Sequence, residues 1–212
     1  MRHRYIYFIL WFTAAFLTCT GTHASRPEYS GAVHYNMKVH FGRMLPHNIL
    51  LDSLNQERIR GFEANAWFGE SSSESINRPK LGAGYFFSNL GNHEVLGNIH
   101  SLYMSILYPV YTGRLSVEFN SNLGIGYATK PHDPENNPNN KAIGSRLNFY
   151  GQLSFTGRVP LGDSRWVFRP GVSFHHVSNG TVVAPNSGIN KLTFHAGFDF
   201  RSDHAYPERL SL

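Results

Sequence analysis

The residues most able to do chemistry lie near the end of the chain, in Phe174-His175-His176-Val177-Ser178-Asn179-Gly180 and Pro185-Asn186-Ser187-Gly188-Ile189-Asn190. A serine beside an imidazole is the material of nucleophilic acyl transfer. An isolated His-x-Ser is weak evidence in a chain with 12 histidines. Its worth depends on the elements that carry it. Side chains at i and i+2 of a strand point the same way, so an extended stretch would put His176 and Ser178 on one face.

Those elements are strands. From Val33 the odd positions read Val33, Tyr35, Met37, Val39, Phe41, and the even ones His34, Asn36, Lys38, His40. Phe62, Ala64, Ala66 and Phe68 alternate with Glu63, Asn65 and Trp67, and Leu81, Ala83, Tyr85 and Phe87 with smaller residues and Phe86. Leu102 to Val110 give a fourth strand, and a fifth begins at Leu115, Val117, Phe119 and runs to Tyr127. Leu147 to Phe155, then Phe168 to Phe174, then Leu192 to Phe200 supply three more. Period-two alternation marks strands with two unlike faces. Eight such strands of about 9–14 residues, where roughly 9–11 are needed to cross a bilayer as a tilted strand, predict an all-β fold: an eight-stranded antiparallel up-and-down transmembrane β-barrel. A soluble sandwich or lipocalin-like barrel also alternates, but it hides its apolar face and exposes its polar one.

The start of the chain agrees with export. Arg2 and Arg4, the apolar run Tyr5–Leu17 and the ending Thr22-His23-Ala24 have the layout of a secretory signal peptide. Cleavage after Ala24 is expected, leaving 25–212 as the outer-membrane domain. The 13-residue run is short of the roughly 20 that a spanning helix needs. Cleavage would also remove Cys19, the only cysteine, so no disulfide is expected in the mature chain. Acylation of Cys19 is disfavoured by Thr18 before it. Without Arg2 and Arg4, 17 of the 19 basic residues remain against 14 acids, a net charge of +3 with no basic run. That balance gives no reason to expect a nucleic-acid partner.

Loop lengths orient the barrel. Thr112-Gly113 and Gly157–Ser164 read as short periplasmic turns. Arg43–Glu57, Asn89–Gly97, Lys130–Ala142 and Ser178–Ile189 read as longer external loops, the usual arrangement. The Pro/Asn-rich stretch Pro131–Pro138 can only be loop. The long connection Gly69–Pro79 breaks the rule. In this frame Phe168, Val172 and Phe174 share parity with His176 and Ser178, and Leu192, Phe194 and Phe198 share parity with Asn190. All three polar residues are therefore expected on the lipid-facing side at the external rim, where polar groups are costly and usually functional.

Here the sequence resembles the lipid A 3-O-deacylases of the PagL type. The family run His-x-Ser-Asn followed by Pro-Asn-x-Gly-x-acid is similar to His176-Val177-Ser178-Asn179 and Pro185-Asn186-Ser187-Gly188-Ile189-Asn190, with spacing kept. The stretch Gly144-Ser145-Arg146-Leu147-Asn148 is similar to longer family members. The resemblance implies an outer-membrane serine esterase that removes an ester-linked acyl chain from lipid A, with no cofactor. Ser178 would be the nucleophile, His176 its general base and Asn190 the third member of the triad. Asn179, Gly180 and Asn186 would be the oxyanion-hole candidates, and the sequence leaves open which of them donates. An acid is expected where Asn190 stands. A carboxamide can hold an imidazole tautomer but brings no negative charge. Asp199 has the wrong parity to replace it.

The implied partner is lipid A in the outer leaflet of the outer membrane, and homo-oligomerisation is left open. A non-catalytic outer-membrane barrel with a structural or lipid-binding role is the alternative reading, and a soluble secreted lipid-binding barrel a third. His34, His40, His100 and His195 are expected to line the lumen, with no zinc-type spacing among them. Arg146, Lys191 and Arg169 read as lumen or rim charges more readily than as phosphate ligands. Which acyl position is cut, and what the tail after Phe200 does, are not legible.

Overall fold

The computed structural model describes residues 33–68, 79–113, 115–162 and 164–200. The expected signal peptide, nearly all of the connection 69–79 and the tail after Phe200 lie outside them. The strands are β1 (Val33–Met44), β2 (Ile59–Phe68), β3 (Lys80–Asn89), β4 (Asn98–Tyr111), β5 (Ser116–Ala128), β6 (Leu147–Pro160), β7 (Trp166–Phe168), β8 (Gly171–Ser178) and β9 (Ile189–Phe200). All pairings are antiparallel, and β9 returns to β1 from Tyr35↔Phe200 to Met44↔Lys191, which closes the sheet.

Strands β7 and β8 are one stave of the barrel. Val159↔Phe168 and Thr156↔Gly171 keep one register on β6, and Phe168↔Phe198 and Gly171↔His195 keep one on β9. The break falls at Arg169-Pro170, because proline has no N–H for the ladder. The Pro170 carbonyl still accepts the Gly157 N–H at 2.7 Å. Counted by staves, the barrel has the expected eight.

The two faces decide what surrounds the wall. Met37 is 61 % exposed on the outside, whereas its neighbour Lys38 is 1 % exposed inside. Tyr35, Val39, Phe41, Leu102, Met104, Phe194 and Phe198 also stand outward. A water-soluble barrel would reverse this order, so the outer wall is built for lipid. Closure leaves no strand edge for lipid to strand. No helix among the described residues is long and apolar enough to cross a membrane.

The lumen is filled rather than open. Glu63 accepts hydrogen bonds from Lys38 Nζ (2.9 Å), Gln152 Nε2 (2.9 Å) and Asn65 Nδ2 (2.6 Å), and His40 Nε2 lies 3.0 Å away. Further down, Arg169 pairs with Glu118 and, at 3.3 Å, with Asp199. At the loop end an apolar cluster that includes Met44, Leu51, Leu90, Leu96, Ile143, Val177 and Ile189 seals the interior. Part of this cap comes from helix α1 (Ile49–Leu54), which turns Leu51 and Leu54 inward. Asn48 caps α1 by accepting the Leu51 N–H at 2.8 Å.

Several boundaries differ from the sequence reading. The loop after β1 holds α1, whose single inward pair is too short a period to stand out. β6 runs on to Pro160, past the turn expected from Gly157, because Val159 and Pro160 still pair with β7. β5 begins at Ser116 rather than Leu115. His40 and His195 are buried in the lumen and His34 has inward register. His100 does not line it. It shares the outward parity of Leu102, packs on Phe87 with ring centroids 4.9 Å apart, and meets Tyr85 Oη at 2.8 Å. Lys191 and Arg169 are buried inside, while Arg146 is exposed at the rim.

Candidate active site

The loop-end rim of β8 and β9 brings the sequence-derived residues together. His176 pairs across the ladder with Asn190, and Ser178 with Phe149 of β6. The even positions of β8 face outward, with Phe174 exposed, while Ser173, His175 and Val177 are buried. His176, Ser178 and Asn190 are each half-buried on that outer side.

His176 Nδ1 lies 2.7 Å from Asn190 Oδ1. A carboxamide oxygen only accepts, so Nδ1 carries the proton and the neutral ring keeps its lone pair on Nε2. That nitrogen makes no hydrogen bond to the described residues. The Ser178 hydroxyl turns the other way, toward the loop. Asn186 Nδ2 donates to Ser178 Oγ at 3.0 Å and the Gly180 N–H donates to it at 3.2 Å. Ser178 and His176 are therefore neighbours on one face without a hydrogen bond between them.

The three oxyanion-hole candidates are placed differently. The Gly180 N–H and the Asn186 carboxamide both point at Ser178 Oγ. Asn186 Oδ1 also accepts the Asn179 N–H at 3.2 Å, which fixes the amide's orientation. The Asn179 side chain faces away from Ser178. Its Nδ2 donates to Val183 O (2.8 Å) and Ser145 Oγ (3.2 Å), and its Oδ1 accepts the Thr181 N–H at 3.0 Å. It shapes the loop rather than lining the site.

Two positions that sequence reasoning gave no role hold this arrangement. A Cβ on Gly188, whose φ is +70°, would lie 3.4 Å from His176 Cε1 and 3.5 Å from Ser178 Cβ. Gly188 thus lies against both side chains, and its N–H is tied to Ala142 O at 3.0 Å. Gly144 lies under the 183–185 segment, where a Cβ would be 2.5 Å from Pro185 O. The signal for both was a glycine in a motif. What each glycine touches is set by contacts between two separate loops. The 129–146 loop is itself held by asparagines: Asn140 Oδ1 accepts the Ala142 and Ile143 N–H groups, both at 3.0 Å.

No group of three or more His, Cys, Asp or Glu residues among the described residues could hold a metal. The acid at position 199 stays in the lumen with Arg169, as its parity required.

A closed antiparallel barrel with an apolar outer wall and a polar, filled interior is an integral outer-membrane protein. The family model described as Lipid A 3-O-deacylase (PagL) matches residues 61–199. This is more than half of the chain, and the chain belongs to that family. Solved structures that share the fold include two outer-membrane barrels. The crystal structure of Neisserial surface protein A aligns with a TM-score of 0.54 at 10 % identity, over 79 % of this chain and 96 % of that one. The crystal structure of the outer membrane enzyme PagL aligns with a TM-score of 0.53 at 15 % identity, over 76 % of this chain and 97 % of that one. No functionally curated protein matches the chain at a significant level.

Proposed function

We propose that this protein is a serine esterase that removes the 3-O-linked acyl chain from lipid A in the outer leaflet. The observation that carries the reading is the 2.7 Å contact of His176 Nδ1 with Asn190 Oδ1, which leaves Nε2 free on the lipid-facing rim beside Ser178. Rotation of the Ser178 side chain toward Nε2 sets up the attack, a rearrangement of the kind unliganded sites often need. Ser178 Oγ bonds to the acyl carbonyl carbon as His176 Nε2 takes the hydroxyl proton. The Gly180 N–H and Asn186 Nδ2, released from the hydroxyl, are the donors at hand for the oxyanion. Collapse expels the sugar hydroxyl, which takes the proton from His176. Water then attacks the acyl-serine as His176 takes its proton, the bond to Ser178 Oγ breaks with that proton returned to the hydroxyl, and a free fatty acid leaves.

Asn190 orients the ring without adding charge, so the imidazolium formed in each step is less stabilised than beside a carboxylate. The non-catalytic alternative draws on the same neutral partner and on the Ser178 hydroxyl being engaged by the loop. Mass spectrometry of lipid A from cells expressing the protein or its Ser178→Ala variant separates the two readings. Loss of one hydroxyacyl group in the first sample only is expected. Identical lipid A in both samples would leave the non-catalytic barrel.

A further inference from the structure

The outer wall near the site carries guanidinium groups where lipid would be expected to meet apolar side chains. Arg43 is the last outward-facing residue of β1. It is exposed, pairs across the ladder with Leu192 of β9, and makes no hydrogen bond or ion pair with the described residues. The next outward position, Leu45, donates its N–H to Asn190 O at 2.8 Å. Arg43 therefore flanks Asn190 on one side of the site.

Arg146 flanks Ser178 on the other side. It precedes β6, whose Phe149 pairs with Ser178, and follows Ser145, whose hydroxyl accepts from Asn179. Its guanidinium lies 5.9 Å from the Tyr127 ring centroid, and Nη1 donates to Tyr127 Oη (3.2 Å) and Thr129 O (3.3 Å). Those contacts hold the fork in place, and among the described residues none is bonded to its Nη2 and Nε donors. A fixed, planar fork with free N–H groups matches phosphate oxygens better than a mobile ammonium does. An unpaired arginine on a lipid-facing wall is costly, and an anionic headgroup beside it removes the cost.

We propose that Arg43 and Arg146, on opposite sides of the Ser178–His176–Asn190 cluster, grip the phosphates of a phosphorylated glycolipid and so select it over zwitterionic phospholipid. The proposal rests on the esterase reading for the identity of that lipid. Binding itself needs no turnover. Arg60, the first outward residue of β2 and one stave further from Ser178, continues the basic edge and serves as a distance control.

The test uses the full barrel in detergent micelles with bis-phosphorylated lipid A or the same lipid A stripped of phosphate. Affinity is measured in the Ser178→Ala background, and KM and kcat in the otherwise native chain. Arg43→Gln and Arg146→Gln should each weaken binding and raise KM by about tenfold on the phosphorylated lipid, the scale of one charge-assisted hydrogen bond. Values for kcat should stay within about twofold, and no change should appear on the stripped lipid. Arg60→Gln should have little effect.

Equal losses on both lipids, no loss on either, or an Arg60→Gln loss as large as the others would each overturn the assignment. If fatty acid is never released yet the binding differences hold, the phosphate grip stands and the esterase reading fails. If turnover is normal and the binding differences are absent, the reverse follows.

Discussion

His175 and His176 are adjacent in sequence and opposite in circumstance. His175 is buried in the lumen with both nitrogens engaged, Nδ1 with Tyr150 Oη at 2.9 Å and Nε2 with Thr193 Oγ1 at 2.9 Å. Its ring stacks on Phe86 at 4.6 Å between centroids. His176 uses one nitrogen on Asn190 and keeps the other open on the outer rim. The contrast extends to whole regions. Inside the barrel Lys38 is paired with Glu63, which also meets His40, Asn65 and Gln152, because an unpaired charge there would cost several kcal/mol. Outside, a serine and a histidine are held in position without being satisfied by each other. Paired charges hold the barrel interior together, whereas the proposed reactive pair faces lipid without a bond between its members.

The sharpest way to break that comparison is to remove its reactive side. Ser178→Ala should lower fatty-acid release by about 10³-fold or more, and His176→Ala by a similar factor, since residues acting as a unit are lost together. Neither should change heat-modifiable gel migration, which reports barrel folding. Activity surviving in either variant would place the chemistry elsewhere.

On the buried side, Glu63→Ala strands Lys38 in the lumen. It should destabilise the barrel by about 3–5 kcal/mol, read from urea unfolding in lipid vesicles, while folded protein keeps its activity. His175→Ala should cost about 1–3 kcal/mol by stranding buried hydroxyls, again with activity per folded barrel largely kept. Loss of activity in folded His175→Ala would erase the distinction between the neighbouring histidines.

Much of this division is legible in the sequence. Alternation assigned Lys38, His40 and Glu63 to one face and Met37, Val39 and Phe62 to the other. The same parity put His176, Ser178 and Asn190 on the lipid side, because a strand's two-residue period carries face information along its whole length. His100 shows the limit of reading by residue type: its parity was outward, but a histidine suggested a lumen. Tyr85 and Phe87 supply the packing and hydrogen bond that let it sit outside. The loop was the least legible part. Asn179, Gly180 and Asn186 were equivalent in sequence, and only contacts such as Gly188 N–H to Ala142 O and Asn179 to Ser145 turn one of them away. Helix α1 is illegible in the sequence for a related reason, since its short apolar pattern gains meaning only over the lumen it caps.

The smallest expected effect concerns the neutral partner. Asn190→Ala should slow turnover by about tenfold by freeing the ring to take either tautomer, a milder loss than the roughly 10⁴-fold of a triad held in the wrong one. Asn190→Glu should keep or raise activity, since a carboxylate at the rim can stabilise the imidazolium. Equal rates for wild type, Asn190→Ala and Asn190→Glu would remove Asn190 from the triad.

The most direct test of an outward serine activated by a half-engaged histidine is covalent capture. The folded barrel in detergent is treated with a long-chain alkyl fluorophosphonate, and the adduct is mapped by peptide mass spectrometry. The account predicts one adduct, on Ser178, formed at least about 10²-fold more slowly in His176→Ala and at the native rate in Arg60→Gln. Labelling of another residue, or equal labelling of Ser178 with and without the His176 imidazole, would contradict it.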